Sequence, residues 1–244
     1  MHLLLTRPEP DAGRTAQALR ALGYTVTISP LMRLRPLTDM RLPKRRYQAV
    51  LVTSANAVRA LLDHRESDLF ADRPLLAVGD RTALMARRAG FAKARSAGGS
   101  LDDLVALVGA TCRPDAGPLL YLAGNARAGD LQGRLAEIGF SVDMRVVYDM
   151  QAAGGLSEAA IDGLRAGEID GVLIYSQRSA AAFALALRAA GLAPLSRVHA
   201  FCLSQAAAQP LATIFDGPIH IAEKPDQVHL FATIDAVSRT EATN

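Results

Sequence analysis

The sequence contains no tryptophan, and aromatic residues make up only 5% of its 244 positions. Proteins that bind single-stranded nucleic acid by stacking bases need more aromatic side chains, so that class is not favoured. The net charge is only +3, and three lysines stand against 24 arginines. The densest basic run, RLPKRR at 41–46, contains a proline between periodic segments. We interpret it as a solvated loop and expect no nucleic-acid partner.

Cysteine and histidine are also sparse. Cys112 and Cys202 lie far apart, and the five histidines lack the spacing of metal ligands, so neither a disulfide framework nor a metal site is predicted. No apolar run approaches the roughly 20 residues of a membrane span, and the first residues do not resemble a signal peptide. We therefore expect a soluble cytoplasmic protein with no membrane partner.

What the sequence does contain is a regular alternation of short apolar strands and amphipathic helices. Half of the residues are apolar, which is enough to bury a proper core. Strands that alternate with helices indicate parallel sheets covered on both faces. The predicted fold class is α/β, with doubly wound, flavodoxin-like sheets whose ligands sit at the carboxyl ends of the strands.

The chain also repeats itself. The segment that begins at Leu119 can be laid on the segment that begins at Leu3 without a gap for 25 residues. Later in the chain, LIYSQRSA repeats LVTSANAV and places Ser176 on Ser54. The offset between the copies grows slowly along the chain, as loop insertions would produce. We interpret the pattern as a tandem duplication of a β/α unit.

Two long extended segments, 24–37 and 140–152, occupy equivalent places in the repeat. If both connect domains, the first strand and helix join the C-terminal part of the chain. The predicted organisation is a discontinuous domain of residues 1–34 plus 151–244 and a second domain of residues 35–150, joined by a two-stranded β connector. The cleft between two such domains is the expected site.

Ser54 and Ser176 each follow an apolar strand and precede a helix. A helix N-terminus with free N–H groups and a hydroxyl suits an anionic ligand. The alternative interpretation is that each serine only caps its helix. Other chemistry is excluded: GNARAG at 124–129 is followed by Asp130-Leu131 where an NTP site needs Lys and Ser or Thr. No zinc spacing or nucleophile elbow is present.

Short motifs in a fixed order complete the analysis. They are Thr6-Arg7-Pro8, Thr53-Ser54-Ala55-Asn56-Ala57-Val58, Ala77-Val78-Gly79 with Thr82-Ala83, Val147-Tyr148, Ser176 with Ser179, and Lys224-Pro225. In this order and spacing the chain resembles the uroporphyrinogen-III synthase family along nearly its whole length.

The resemblance implies a monomeric lyase that needs no cofactor. It would convert hydroxymethylbilane, which carries eight carboxylates, to uroporphyrinogen III with loss of water and inversion of the last ring. Tyr148 matches the tyrosine thought to help the hydroxyl leave. The predicted substrate-binding residues, taken from the carboxyl ends of the strands and from these motifs, are Arg7, Thr53, Ser54, Asn56, Gly79, Thr82, Gly124, Ser176, Gln177, Ser179 and Ser204. Transient contact with hydroxymethylbilane synthase, which supplies the substrate, is an open expectation.

One segment departs from the family pattern. The usual Gly-Pro-Thr-Thr-Ala-like turn is replaced by Leu203-Ser204-Gln205-Ala206-Ala207, so one carboxylate contact must come from elsewhere, such as Ser204 or Gln205. The competing hypothesis is a non-catalytic two-domain binding protein or sensor for a polycarboxylate. Such a protein could do without Tyr148, so the presence of that residue favours the enzyme.

Overall fold

The computed structural model describes residues 1–38, 41–43, 45–127, 129–212 and 214–243. The strands are β1 (His2–Leu5), β2 (Thr25–Ile28), β3 (Met32–Pro36), β4 (Val50–Val52), β5 (Leu75–Ala77), β6 (Ala94–Ser96), β7 (Leu119–Gly124), β8 (Val142–Ala152), β9 (Gly171–Ile174), β10 (His199–Cys202) and β11 (Ile219–Ile221). The helices are α1 (Asp11–Ala21), α2 (Ala55–Leu62), α3 (Asp80–Arg88), α4 (Leu101–Thr111), α5 (Leu131–Glu137), α6 (Glu158–Arg165), α7 (Gln177–Ala189), α8 (Gln205–Ala208) and α9 (Gln227–Thr243).

The chain forms two compact units, one of Met1–Arg33 with Gln151–Asn244 and one of Leu34–Met150. We call them the first and the second unit. Each contains its own sheet and its own core, in agreement with the predicted fold class of two doubly wound parallel sheets, which is confirmed.

The sheet of the first unit has the strand order β11-β10-β9-β1-β2, and every described pair in it is parallel. Its strands are nearly continuous apolar runs because both faces are covered. Leu4 and Val172 point into one core cluster, whereas Leu3, Leu5 and Leu173 point into the other. This alternation follows from the two-residue period of a strand.

The sheet of the second unit has the order β3-β8-β7-β4-β5-β6. Its strands from β8 to β6 are parallel, and Val50 and Val52 face one cluster while Leu51 faces the other. The strand β8 is 11 residues long and also pairs with β3. The Leu37 N–H donates to the Val147 carbonyl at 2.8 Å.

The two sheets have the same order once the duplication is taken into account. The strands β2-β1-β9-β10-β11 correspond to β8-β7-β4-β5-β6, and Leu4 pairs with Val172 as Leu120 pairs with Val50. Gly23 and Gly139 follow the equivalent helices with φ of 90° and 87°, a conformation that favours glycine. The repeat read from the sequence is therefore present in the fold.

Two features are absent from the described residues. No described helix combines the length and the apolar character needed to cross a membrane. Within the described ranges, histidine, cysteine, aspartate and glutamate nowhere gather in threes in a way that could hold a metal ion.

Candidate functional site

The junction between β4 and α2 places two hydroxyls at the carboxyl edge of the second unit's sheet. Ser54 has extended backbone and is the N-cap of α2, where its Oγ accepts the Asn56 N–H at 3.1 Å. The Thr53 Oγ1 lies 3.2 Å from the hydroxyl of Tyr121, which is on the neighbouring strand β7. The Ser54 hydroxyl accepts through its oxygen and keeps its hydrogen, so capping and ligand binding are compatible at this residue.

The pairing of β7 with β8 positions Tyr148. The register shifts by one residue, so that Ala123 pairs with Val146 but Gly124 pairs with Tyr148. This bulge leaves Val147 and Tyr148 buried together in the same core cluster, although they are adjacent in a strand. The Tyr148 ring lies directly against Gly124, where a Cβ would be 2.5 Å from Cζ.

These residues line a common cavity of about 330 Å³. Its lining consists of Thr53, Ser54, Val78, Gly99, Leu101, Tyr121, Gly124, Ala126, Arg127, Gly129 and Tyr148. Four of the predicted site residues are thus brought together. The volume is within the range of small-molecule sites, and the position is the carboxyl edge where doubly wound sheets bind ligands. We call it the carboxyl-edge cavity.

The carboxyl-edge cavity has the electrostatic character of an anion site. Neither aspartate nor glutamate occurs among its lining residues, and Arg127 supplies a cation. The Arg127 guanidinium contacts the Met144 sulfur. Tyr148 is only 8% exposed, and within the described part of the chain its hydroxyl has no hydrogen-bond partner. A neutral donor therefore stands beside a cation in a cavity without negative charge.

Three predicted residues of the second unit lie outside the cavity lining. Asn56 is in the first turn of α2, where its side-chain oxygen accepts from Arg59. Gly79 is the N-cap of α3, and its carbonyl accepts the Thr82 N–H at 3.1 Å. The Thr82 side chain is buried. These three residues lie at the N-terminal ends of their helices, and none of them lines the carboxyl-edge cavity.

In the first unit, Ser176 is the N-cap of α7 and forms a reciprocal capping box with Ser179. The Ser179 N–H donates to Ser176 Oγ at 3.1 Å, and Ser179 Oγ accepts the Ser176 N–H at 3.0 Å. The Gln177 amide lies 3.4 Å from Gln209 Oε1. Ser204 caps the short helix α8. The sequence-based alternative, helix capping, is therefore what Ser54, Ser176 and Ser204 do in the fold.

Arg7 is held at the end of β1 by its own neighbours. Its guanidinium forms an ion pair with Asp11 at 3.4 Å and donates to Thr15 and Gln227 at 3.4 and 3.3 Å. It also lies 4.8 Å from the centre of the Tyr175 ring. Burial raises the pKa of Tyr175 to about 12, and the nearby Arg7 charge opposes that rise.

Among the lining residues that the sequence did not predict for the site, two have polar side chains, Tyr121 and Arg127. Tyr121 lies inside an apolar run, where the sequence indicates an ordinary core position. Arg127 lies in the segment GNARAG, whose glycine spacing resembles that of a phosphate loop. A signal for both existed in the duplication, because the end of β7 is equivalent to the end of β1, where Arg7 was chosen.

Two sheets whose five duplicated parallel strands have the same order, with a ligand-sized cavity at the carboxyl edge of one of them, define a two-unit doubly wound α/β protein. The family model of Uroporphyrinogen-III synthase HemD matches residues 13–232. The chain therefore belongs to the uroporphyrinogen-III synthase family, whose members are the cyclising lyases of haem biosynthesis.

Solved structures agree with this assignment at the level of the fold. The uroporphyrinogen-III synthetase of Helicobacter pylori is 18% identical, with a TM-score of 0.67 over 97% of this chain and 99% of that chain. A mutant uroporphyrinogen III synthase of the extremely thermophilic bacterium Thermus thermophilus is 17% identical, with a TM-score of 0.52 over 100% of both chains. No curated protein matches the chain significantly by sequence.

Proposed function

We propose that the carboxyl-edge cavity is where this chain cyclises hydroxymethylbilane to uroporphyrinogen III, and that Tyr148 is its catalytic residue. The observation that carries the proposal is the Tyr148 hydroxyl, a donor without a partner among the described residues, in a cavity lined by Thr53, Ser54 and Arg127. A phenol can donate to a leaving hydroxyl without binding the substrate carboxylates.

The reaction needs little acid–base machinery. The bond between the hydroxymethyl carbon and its oxygen breaks, and the attached pyrrole stabilises the cation that remains. For the last ring to be inverted, the new carbon–carbon bond forms at the carbon of that ring that already carries the chain. The bond from this carbon to the neighbouring methylene bridge then breaks, and the bridge bonds instead to the free carbon of the same ring. The proton lost from that free carbon balances the one carried away in water. The protein must assist hydroxyl departure and hold the reacting ends in the orientation that gives inversion. Tyr148 supplies the first requirement.

The second requirement is met by many weak anion contacts. We assign substrate carboxylates to the hydroxyls and helix N-terminal N–H groups at Ser54 and, in the first unit, at Ser176 and Ser204. Each such contact is worth about 1 kcal/mol. Arg127 adds a charge in the cavity itself. Arg7 holds the loop after β1 through Asp11, and in this proposal it supports the site from there.

The wider setting follows from the family. We propose a cytoplasmic monomer whose domains are residues 1–34 plus 151–244 and residues 35–150. Two buried free thiols, Cys112 and Cys202, fit a reducing compartment. We also propose transient contact with hydroxymethylbilane synthase, because the substrate closes without a catalyst to the type I isomer.

The substitution Tyr148→Phe tests the catalytic assignment, and Tyr121→Phe is its matched control in the same cavity. In an assay coupled to hydroxymethylbilane synthase that resolves the isomers, Tyr148→Phe should lower turnover on the order of 10²-fold and shift product toward type I. Tyr121→Phe should cost less, since it loses only the bond with Thr53. Type III formation by Tyr148→Phe at close to the parent rate would refute the assignment.

A further inference from the structure

The second unit has a larger cavity at the opposite edge of its sheet. Its volume is about 730 Å³, and its lining includes Arg45, Arg46, Arg65, Arg73, Leu69 and Phe70. These residues come from the segment before β4 and from the loop before β5, so they lie where the strands begin. We call this the amino-edge cavity. Lys44, in the basic run read from the sequence, lies outside the described residues.

The walls of the amino-edge cavity are fixed by contacts between the two segments. The Glu66 carboxylate accepts the Leu42 N–H at 2.9 Å, which joins the loop before β5 to the segment before β4. The Phe70 and Tyr47 rings pack with their centres 6.3 Å apart, and both side chains are buried. The arginines therefore lie on segments that these contacts hold in place. For residues 41–46 the sequence had predicted a solvated loop.

The charges in this cavity are unbalanced. Arg45 is paired with Asp143 at 3.2 Å, and Asp143 also accepts the Tyr47 hydroxyl at 2.7 Å. Within the described ranges, no carboxylate forms an ion pair with Arg46, Arg65 or Arg73.

Asp68 and Glu66 also line the cavity, so four guanidinium groups face two carboxylates there. One of these carboxylates, that of Glu66, is occupied by the Leu42 N–H. Because Arg45 is paired with Asp143, the other three guanidinium groups face these two carboxylates, and the excess in the cavity is one positive charge.

We propose that the amino-edge cavity binds a small polyanion through Arg46, Arg65 and Arg73. Planar guanidinium groups match the oxygen pairs of phosphate and carboxylate. Because the cavity is open to solvent, salt weakens the attraction between each arginine and a ligand charge. A ligand with two or more negative charges is therefore favoured over a monoanion. An organic phosphate and a polycarboxylate share this chemistry. The site is independent of the proposed catalysis, which uses the opposite edge of the sheet.

Isothermal titration of the full chain with pyrophosphate, citrate and acetate, at constant ionic strength, tests the proposal. The variant R65Q/R73Q removes two of the three unpaired arginines. The matched control R88Q/R188Q removes the same charge from exposed arginines in the last turns of α3 and α7, neither of which lines the cavity.

Wild type and R88Q/R188Q should bind pyrophosphate, citrate or both, and acetate at least tenfold more weakly. R65Q/R73Q should bind the same polyanion roughly tenfold more weakly than wild type. A response to pyrophosphate alone identifies a phosphate ligand, and a response to citrate alone identifies a polycarboxylate. Absence of binding to wild type, or equal weakening in both double variants, overturns the proposal.

Synthase turnover separates this result from the catalytic proposal. R65Q/R73Q should keep the parent rate and isomer ratio, because neither arginine lines the carboxyl-edge cavity. Its unfolding midpoint in urea should also match that of R88Q/R188Q, which shows that any loss of binding does not arise from a loss of folding.

Discussion

Gly124 and Tyr148 face each other across the β7–β8 pair so closely that no side chain fits between them. A Cβ on Gly124 would lie 2.5 Å from Tyr148 Cζ and 2.7 Å from the hydroxyl oxygen. The missing side chain at position 124 thus sets where the phenol sits. The pair links the bulge in the sheet to the position of the proposed proton donor.

The substitution Gly124→Ala should therefore displace the Tyr148 ring. Overpacking of this kind typically costs about 1–3 kcal/mol of stability. Turnover should fall toward that of Tyr148→Phe, with product shifted to type I, measured by the coupled assay beside urea unfolding. The control Gly109→Ala, on helix α4, has open space around the new methyl group and should leave turnover unchanged. Normal type III synthesis by Gly124→Ala would mean that the ring's position is not critical.

The double substitution Ser54→Ala with Ser176→Ala removes two helix caps and two proposed carboxylate contacts. Because each serine accepts a helix N–H, stability should fall by about 1 kcal/mol per site. The Michaelis constant should also rise, by roughly fivefold per site if each contact is worth about 1 kcal/mol.

The variant Ser157→Ala separates these two effects. Ser157 caps α6 and belongs to no proposed site, so its loss should lower stability without changing the Michaelis constant. If the double variant shows only the stability loss, Ser54 and Ser176 are caps and nothing more.

Arg127→Gln should weaken substrate binding more than it slows the chemical step. The exposed guanidinium lines the carboxyl-edge cavity and has no acidic neighbour in that lining. We expect a Michaelis constant raised roughly fivefold at low salt, a smaller effect at high salt because of screening, and partial recovery in Arg127→Lys. A salt-independent loss in turnover, with the Michaelis constant unchanged, would contradict this role.

Alkaline pH should destabilise the protein partly through Cys202. Burial raises the pKa of this thiol to about 12 from its ordinary value of 9.0. The folded state holds the neutral thiol, so the contribution is fully present below pH 9 and is lost between 9 and about 12, where the unfolded chain releases the proton first.

The expected loss from Cys202 is on the order of 1 kcal/mol near pH 10. Cys202→Ala should be less stable at neutral pH because it leaves a cavity, yet its stability should fall less between neutral pH and about pH 10. The free energy of unfolding of both proteins is measured in urea as a function of pH. If it falls equally with pH in wild type and variant, the thiol does not contribute.

The fold could be predicted from the sequence because the same β/α unit occurs twice in the chain. Apolar strands that alternate with helices, helix-stopping glycines such as Gly23 and Gly139, and the repetition of these elements in the same order predict parallel, doubly wound sheets. The family motifs supply Thr53, Ser54 and Tyr148 for the site prediction, and the position at the carboxyl end of a strand supplies Gly124. These four residues share a cavity.

The environment of Tyr148 could not be derived in the same way. Strict alternation would place Val147 and Tyr148 on opposite faces of β8, and only the register shift opposite Gly124 buries both in one cluster. Tyr121 and Arg127 were missed for a related reason, since a strand position and a loop position become neighbours only after the sheet has formed.

The order of the strands along the chain also has a consequence during synthesis on the ribosome. Strand β1 has two partners, and one of them, β9, is made about 170 residues later. The Leu34–Met150 unit is continuous in sequence and can complete its core before β1 can pair with β9. Until Gly171–Ile174 emerges, the Leu3–Leu5 edge has unsatisfied backbone groups and exposed leucines, which is the condition under which nascent chains aggregate. We therefore expect the N-terminal segment to be exposed to aggregation until β9 has been synthesised.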